Sequence, residues 1–257
     1  MSDFAKFEHR SPAHQNAVDI FQGKWAGNLA QICPGLVSGE MNLYEDDNRP
    51  RLAGKSLGNG EGRFDGMAVL ELGPLEGAHT YQIERLGAKR ILAIEANVEA
   101  FLKCLIVKDI ADLQKAKFLL GDFVEYLSGA PDRFDLVFCS GVLYHMTDPI
   151  NLIRLINMVT DKVFLWTHYY EPGVGEHRVP RQVNRFGLSL TYYELEYRGM
   201  NDGKFWGGNK PVAAWLEKEA ITHAFQHFGY SKIDIVEESP KHPNGPSMSL
   251  AISRLHR

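Results

Sequence analysis

Cysteine is scarce in this chain: only Cys33, Cys104 and Cys139 occur among 257 residues. An odd count at wide spacing builds neither a disulfide framework nor a zinc knuckle, and it fits a reducing, cytoplasmic setting. Long apolar runs are missing too. Nothing approaches the ~18–20 consecutive apolar residues of a membrane span, and Met1-Ser2-Asp3-Phe4 does not open a signal peptide. Positive charge is not in excess. A net charge of −4 gives no overall footprint for nucleic acid, although a local basic patch stays open. No repeat and no low-complexity tract occurs; the expected partner is a small molecule, with no membrane, and nucleic acid is disfavoured but not excluded.

What is present is a regular α/β pattern. Residues 1–66 read as an N-terminal cap, with a helix near Ala13–Trp25 and a Gly-, Asn- and Arg-rich stretch at Gly35–Gly66. From residue 67 to 257, apolar strands alternate with helices. Strands are expected at Met67–Leu72, Arg90–Glu95, Lys117–Gly121, Phe134–Cys139 and Lys162–Thr167. Short connections between them predict a Rossmann-like, mostly parallel sheet covered on both faces. Residues 169–210 form an irregular aromatic and basic insertion, expected as a substrate lid, in which Leu188–Tyr197 could hold a helix. A helix is expected at Pro211–Phe228. Lys232–Glu238 and Ser247–Ser253, joined through Pro243-Asn244-Gly245, predict a terminal antiparallel hairpin and bring the strand count to seven.

The densest signal is Val69-Leu70-Glu71-Leu72-Gly73-Pro74-Leu75-Glu76-Gly77: a buried strand, a glycine turn, then a helix. A second strand ends at Glu95-Ala96. Together they form a nucleoside site, with a closely approaching backbone and a carboxylate for the ribose hydroxyls. A dinucleotide fingerprint needs glycine where Leu75 stands, and Glu76 would repel a pyrophosphate. Both oppose a nicotinamide or flavin cofactor.

On these residues the chain resembles the class I S-adenosylmethionine-dependent methyltransferases, over roughly Met67–Tyr170. Glu71-x-Gly73-x-x-x-Gly77 matches that family's first motif without its frequent middle glycine. The resemblance implies S-adenosyl-L-methionine as cofactor and S-adenosyl-L-homocysteine as product. It implies that the Gly73–Gly77 backbone cradles the methionine part and that Glu71 helps hold its ammonium. Glu95 would take the ribose, and Gly121-Asp122-Phe123 would meet the adenine. The full implied set is Glu71, Gly73, Pro74, Gly77, Thr80, Glu95, Ala96, Gly121, Asp122, Phe123, Ser140, Gly141, Val142 and His145. A narrower similarity, carried by Gly141-Val142-Leu143-Tyr144-His145, Asp148-Pro149 and His79-Thr80-Tyr81, is to the tRNA wobble-uridine carboxymethyltransferase branch. The acidic chain has no long basic N-terminal region, so the tRNA substrate is not carried over.

Plainer readings stand beside these. Glu71 could cap the next helix, Glu95 could be a solvated strand end, and Asp122 could N-cap Phe123–Leu127. His145 is the leading catalytic candidate, because it follows the fourth strand and titrates near neutrality. His168 and Tyr169 end the fifth strand and could orient the acceptor. Arg178, Arg181 and Arg185 share the lid with Tyr192, Tyr193, Tyr197, Phe205 and Trp206. Of these, Arg181, Arg185, Tyr193 and Trp206 are the candidates to grip an anionic, partly flat acceptor. His223 and His227 share a helix face without the following Glu of a metalloprotease, so no metal is expected. The expected function is methylation of a small acceptor. The alternatives are a tRNA-modifying methyltransferase and a binding module that has lost the reaction.

Overall fold

The computed structural model describes residues 7–174, 177–197, 208 and 210–254. The chain opens with α1 (His14–Asp19), shorter than its apolar pattern suggested, and α2 (Arg49–Leu57). Five strands then alternate with helices: β1 (Ala68–Leu72), α3 (Ala78–Arg85), β2 (Arg90–Glu95), α4 (Val98–Ile110), β3 (Ala116–Leu120), α5 (Phe123–Ser128), β4 (Leu136–Ser140), α6 (Pro149–Val159) and β5 (Lys162–His168). Next come β6 (Val179–Arg185), β7 (Leu188–Glu196), β8 (Val212–Trp215), α7 (Lys218–His227), β9 (Lys232–Ser239) and β10 (Ser247–Ser253). No described helix is long and apolar enough to cross a membrane.

The main sheet has seven strands in the order β3-β2-β1-β4-β5-β10-β9. β1 to β5 are parallel, and β10 runs antiparallel to both β5 and β9. β1 and β4 are buried along their whole length. Even so, the two-residue period still sorts β1: Leu70 and Leu72 join one core, Val69 the other. Strand order reverses at β1, so the crevice for a ligand opens beyond the carboxyl ends of β1 and β4.

The insertion differs from its sequence reading. Leu188–Glu196 is strand β7, not a helix, and the helix expected from Pro211 starts only at Lys218, because residues 212–215 form β8. Leu188, Tyr192 and Leu195 fit a helical spacing, while Leu188, Leu190 and Tyr192 fit a strand. The turn decides. Phe186 and Gly187 have φ of 49° and 87°, the two-residue turn whose twist suits a β-hairpin. β6, β7 and β8 make a separate antiparallel sheet.

The N-terminal segment is anchored twice. Val18, Phe21, Trp25, Leu29 and Tyr44 pack against Ala78 of α3 and Val107 of α4. Beneath them Glu76 buries its carboxylate, accepting hydrogen bonds from the amides of Ala26 (3.0 Å) and Gly27 (2.9 Å) and from Lys103 Nζ (3.1 Å). Lys103 also donates to the Lys24 carbonyl, and the Tyr44 hydroxyl donates to the Glu76 carbonyl. Removing one partner of a buried pair strands the other charge, at about 3–5 kcal/mol. Lys103→Met should therefore destabilise the protein by about that amount in urea, and adding Glu76→Gln should recover part of the loss.

Candidate functional site

The turn after β1 is built on left-handed backbone. Gly73, Leu75 and Gly77 have φ of 66°, 56° and 77°. A Cβ on Gly73 would lie 3.0 Å from Val142 Cγ2, so the position requires glycine for space as well as for conformation. Leu75 accepts the same region at a cost of about 1–2 kcal/mol. Its amide then donates to Glu95 Oε2 at 3.1 Å, and the Asn97 amide donates to Oε1 at 2.8 Å. Glu95 is thus pinned between the turn and the end of β2. Burial pushes its carboxyl up, against the amides of Asn97, Leu75 and Ala96.

Behind this turn, Glu71 is 1% exposed. One oxygen accepts from the Thr80 hydroxyl, whereas Oε1 has no hydrogen-bond partner among the described residues. Burial, with the nearby charge of Glu95, pushes this carboxyl up to about 8 despite the Thr80 bond. His79 Nδ1 lies 4.0 Å from Glu71, and its Nε2 meets Asp47 Oδ2 at 2.9 Å. Burial works to raise Asp47, but its bonds to His79 and Arg49 hold it far below the usual carboxylate range. Burial lowers His79. Since an ionised carboxylate only accepts, His79 is the neutral tautomer with hydrogen on Nε2 and its lone pair on Nδ1. Arg49 donates from Nε to Asp47 at 2.8 Å and from Nη1 to Ser140 Oγ at 3.0 Å. Its guanidinium lies 4.8 Å from the Trp166 ring.

Gly73, Leu75, His79, Asp47 and Arg49 border one cavity of about 300 Å³, which reaches from Glu95, Asp122 and Phe123 to Tyr144, His145, Met146 and Trp166. Met41 and Leu43 border it from the N-terminal segment. His145 sits in a one-turn 3-10 helix, Leu143–His145, with Nδ1 2.8 Å from the Tyr197 hydroxyl. Burial, followed by the charges of His168 and Arg178, pushes it down to about 4, so the ring is neutral near pH 7.

Of the residues expected from sequence, Gly73, Pro74, Glu95, Ala96, Asp122, Phe123, Ser140, Gly141, Val142 and His145 line the cavity. Glu71, Gly77, Thr80 and Gly121 do not line it. Asp122 also N-caps α5 through the Val124 amide, so its plain and functional readings coexist. His168 and Tyr169 lie off the cavity. His168 Nδ1 donates to the carbonyls of Gly245 and Pro246 while its ring stacks on Trp215, and Tyr169 donates to Glu238. Arg181 pairs with Glu194, Arg185 pairs with Asp148, and Tyr193 donates to Glu217, so none of the three borders the cavity. Phe205 and Trp206 fall outside the described residues. Sequence reasoning missed Met41, Leu43, Asp47 and Arg49. They sit in a stretch without periodicity, and no motif announces them.

A parallel sheet that reverses order at a glycine turn, with a carboxylate at the neighbouring strand end, is where open α/β folds seat a nucleoside ligand. Residues 63–182 match the family described as a methyltransferase domain. The N-terminal domain of EvdMO1, crystallised in the presence of S-adenosylhomocysteine and D-fucose, superposes with a TM-score of 0.72 at 20% identity over 95% of both chains. The 1,6-didemethyltoxoflavin-N1-methyltransferase of Burkholderia thailandensis gives 0.53 at 12% identity, over 84% of this chain and 82% of that one. A tRNA U34 carboxymethyltransferase of Campylobacter curvus is 29% identical over 111 residues, 42% of this chain and 37% of the relative. The chain spans about a third of the length of the curated relatives it matches. Residues 63–182 thus match a methyltransferase domain, in the fold shared with the EvdMO1 domain crystallised with S-adenosylhomocysteine.

The raised Glu71 carboxyl has a consequence for the ligand-free protein. Its proton is kept in the fold but lost by the unfolded chain, so this contribution to stability is complete below about pH 4.5 and gone above about pH 8. In urea denaturation, the stability of the wild-type protein relative to Glu71→Gln should fall by up to about 1.4 kcal/mol per pH unit across that window.

Proposed function

We propose that the chain methylates a small acceptor bound between Tyr144, His145, Trp166 and the N-terminal residues Met41 to Arg49. The observation that carries this reading is the continuity of the cavity, which joins the Glu95 end to that aromatic wall. The cofactor supplies a methyl group already activated on a sulfonium. The chain's own residues fit it. Glu95 would take the ribose hydroxyls, Asp122 the adenine amino group, and Phe123 would pack on the ring. The Gly73–Gly77 backbone would cradle the methionine part. Glu71 Oε1 is buried with no hydrogen-bond partner among the described residues, and the methionine ammonium would favour the ionised carboxylate and donate to it directly or through water.

Displacement at a sulfonium asks the protein chiefly for alignment and exclusion of water. Alignment alone can be worth up to roughly 7–11 kcal/mol. His145, neutral and held through Nδ1 by Tyr197, would accept the acceptor's proton where the chemistry releases one. That the EvdMO1 domain was crystallised with D-fucose supports including sugars in an acceptor screen. The tRNA-modifying relatives suggest a second acceptor class, and salt-sensitive tRNA binding would favour it.

Calorimetry with S-adenosylhomocysteine should give micromolar binding that weakens at least about tenfold in Glu95→Ala, with no heat from NAD. No binding in the wild-type protein, or a clear NAD signal, overturns the reading. With an acceptor in hand, kcat should stay level from about pH 5 to about pH 8 and fall only below about pH 4, because His145 acts in its neutral form. For an acceptor that releases a proton, His145→Ala should lower kcat by about 10²–10⁴-fold; unchanged turnover removes the role.

A further inference from the structure

Arg49 is the one cationic side chain on the cavity wall among the described residues. Carboxylates occupy the rest of its charged lining: Asp47, Glu76, Glu95 and Asp122. Its orientation is fixed from three sides. Asp47 takes Nε and Nη2, Ser140 takes one Nη1 hydrogen, and the Trp166 ring lies against the guanidinium plane. Asp47 is held in turn by His79. Among the described residues three of the five guanidinium hydrogens are used, which leaves two donors in a preset geometry. The side chain is 23% exposed, so it is sheltered yet reachable.

Its place along the sheet says what it meets. Glu95 ends β2, Glu71 lies in β1, Ser140 ends β4 and Trp166 lies in β5, and the sheet runs β2-β1-β4-β5. Arg49 therefore stands on the far side of β1 from the proposed ribose carboxylate, beside the rings of Tyr144 and Trp166. Arg181 and Arg185 cannot do this work from where they stand, because they are bonded to Glu194 and Asp148 off the cavity. A sulfonium nearby would add positive charge to the same space and further favour an anion.

We propose that Arg49 receives a carboxylate of the methyl acceptor, so that the substrate is a small organic acid whose apolar or flat body packs on Trp166 and Tyr144. This rests on the methyltransferase reading and names its substrate class. The cofactor's own carboxylate is the rival occupant, and the test separates the two.

The probe is benzoate, with benzamide as its neutral isostere, titrated into the full chain saturated with S-adenosylhomocysteine. Benzoate should bind saturably and benzamide at least about tenfold more weakly, the loss expected for one charged hydrogen-bonded contact. Arg49→Met should weaken benzoate by about 10–100-fold, with S-adenosylhomocysteine affinity unchanged. Arg49→Lys, which keeps the charge without the fork, should fall between them, and Arg181→Met should match the wild-type protein. Circular dichroism and a cooperative urea transition for each variant report that it is folded. Absence of saturable benzoate binding to the saturated protein, or equal binding by Arg49→Met, overturns the proposal. A tenfold or larger loss of S-adenosylhomocysteine affinity in Arg49→Met assigns the site to the cofactor's carboxylate instead. Failure of S-adenosylhomocysteine to bind the wild-type protein is a different result and removes the underlying reading.

Discussion

Glu76 leaves the turn after β1 and buries its carboxylate under the N-terminal segment, where two backbone amides and the Lys103 ammonium meet it. The turn forms the floor of the cavity, and the segment above supplies Met41, Leu43, Asp47 and Arg49 to its wall. One side chain therefore fixes the distance between floor and roof. The full set of donors matters, because a buried carboxylate is tolerated only when it is paired and hydrogen-bonded. Lys103 also lies 5.4 Å from the Trp25 ring, so the same ammonium adds cation–π attraction to the roof's apolar core.

The central sheet was legible because parallel strands buried on both faces must be written as apolar runs. Gly73 and Glu95 were legible for a related reason. A crevice at a strand-order reversal needs a backbone that can come close and a polar group at the next strand end. The lid was misread because Leu188, Leu190, Tyr192 and Leu195 satisfy both periods, and the pairing with β6 and β8 decides between them. Asp47 and Arg49 were invisible because their partners, His79 and Ser140, lie far along the chain. Glu76 shows the opposite error. Read as a charge facing the ligand, it is bonded to Lys103, which leaves less repulsion at the turn than its position implied.

Charge in this protein is largely committed locally. The lid's Arg181 and Arg185 are bonded to carboxylates, and Tyr193 is bonded to Glu217. Exposed pairs of this kind contribute little stability, but they remove the cations that the composition seemed to offer a ligand. Within the cavity the pattern changes. Glu71 retains an oxygen with no partner among the described residues, and Arg49 retains unused hydrogens.

The cavity is closed by partners distant in sequence. Ala26 meets Glu76 across 50 residues, His145 meets Tyr197 across 52, and Arg49 meets Ser140 across 91. Bringing such ends together costs chain entropy before any contact compensates it, which makes these closures slow. On a ribosome, the roof and the glycine turn emerge well before Ser140 and Trp166. A nascent chain that stops short of β5 has no wall to set opposite Arg49, so the aromatic end of the cavity closes only after the glycine turn and Glu95 have long been synthesised.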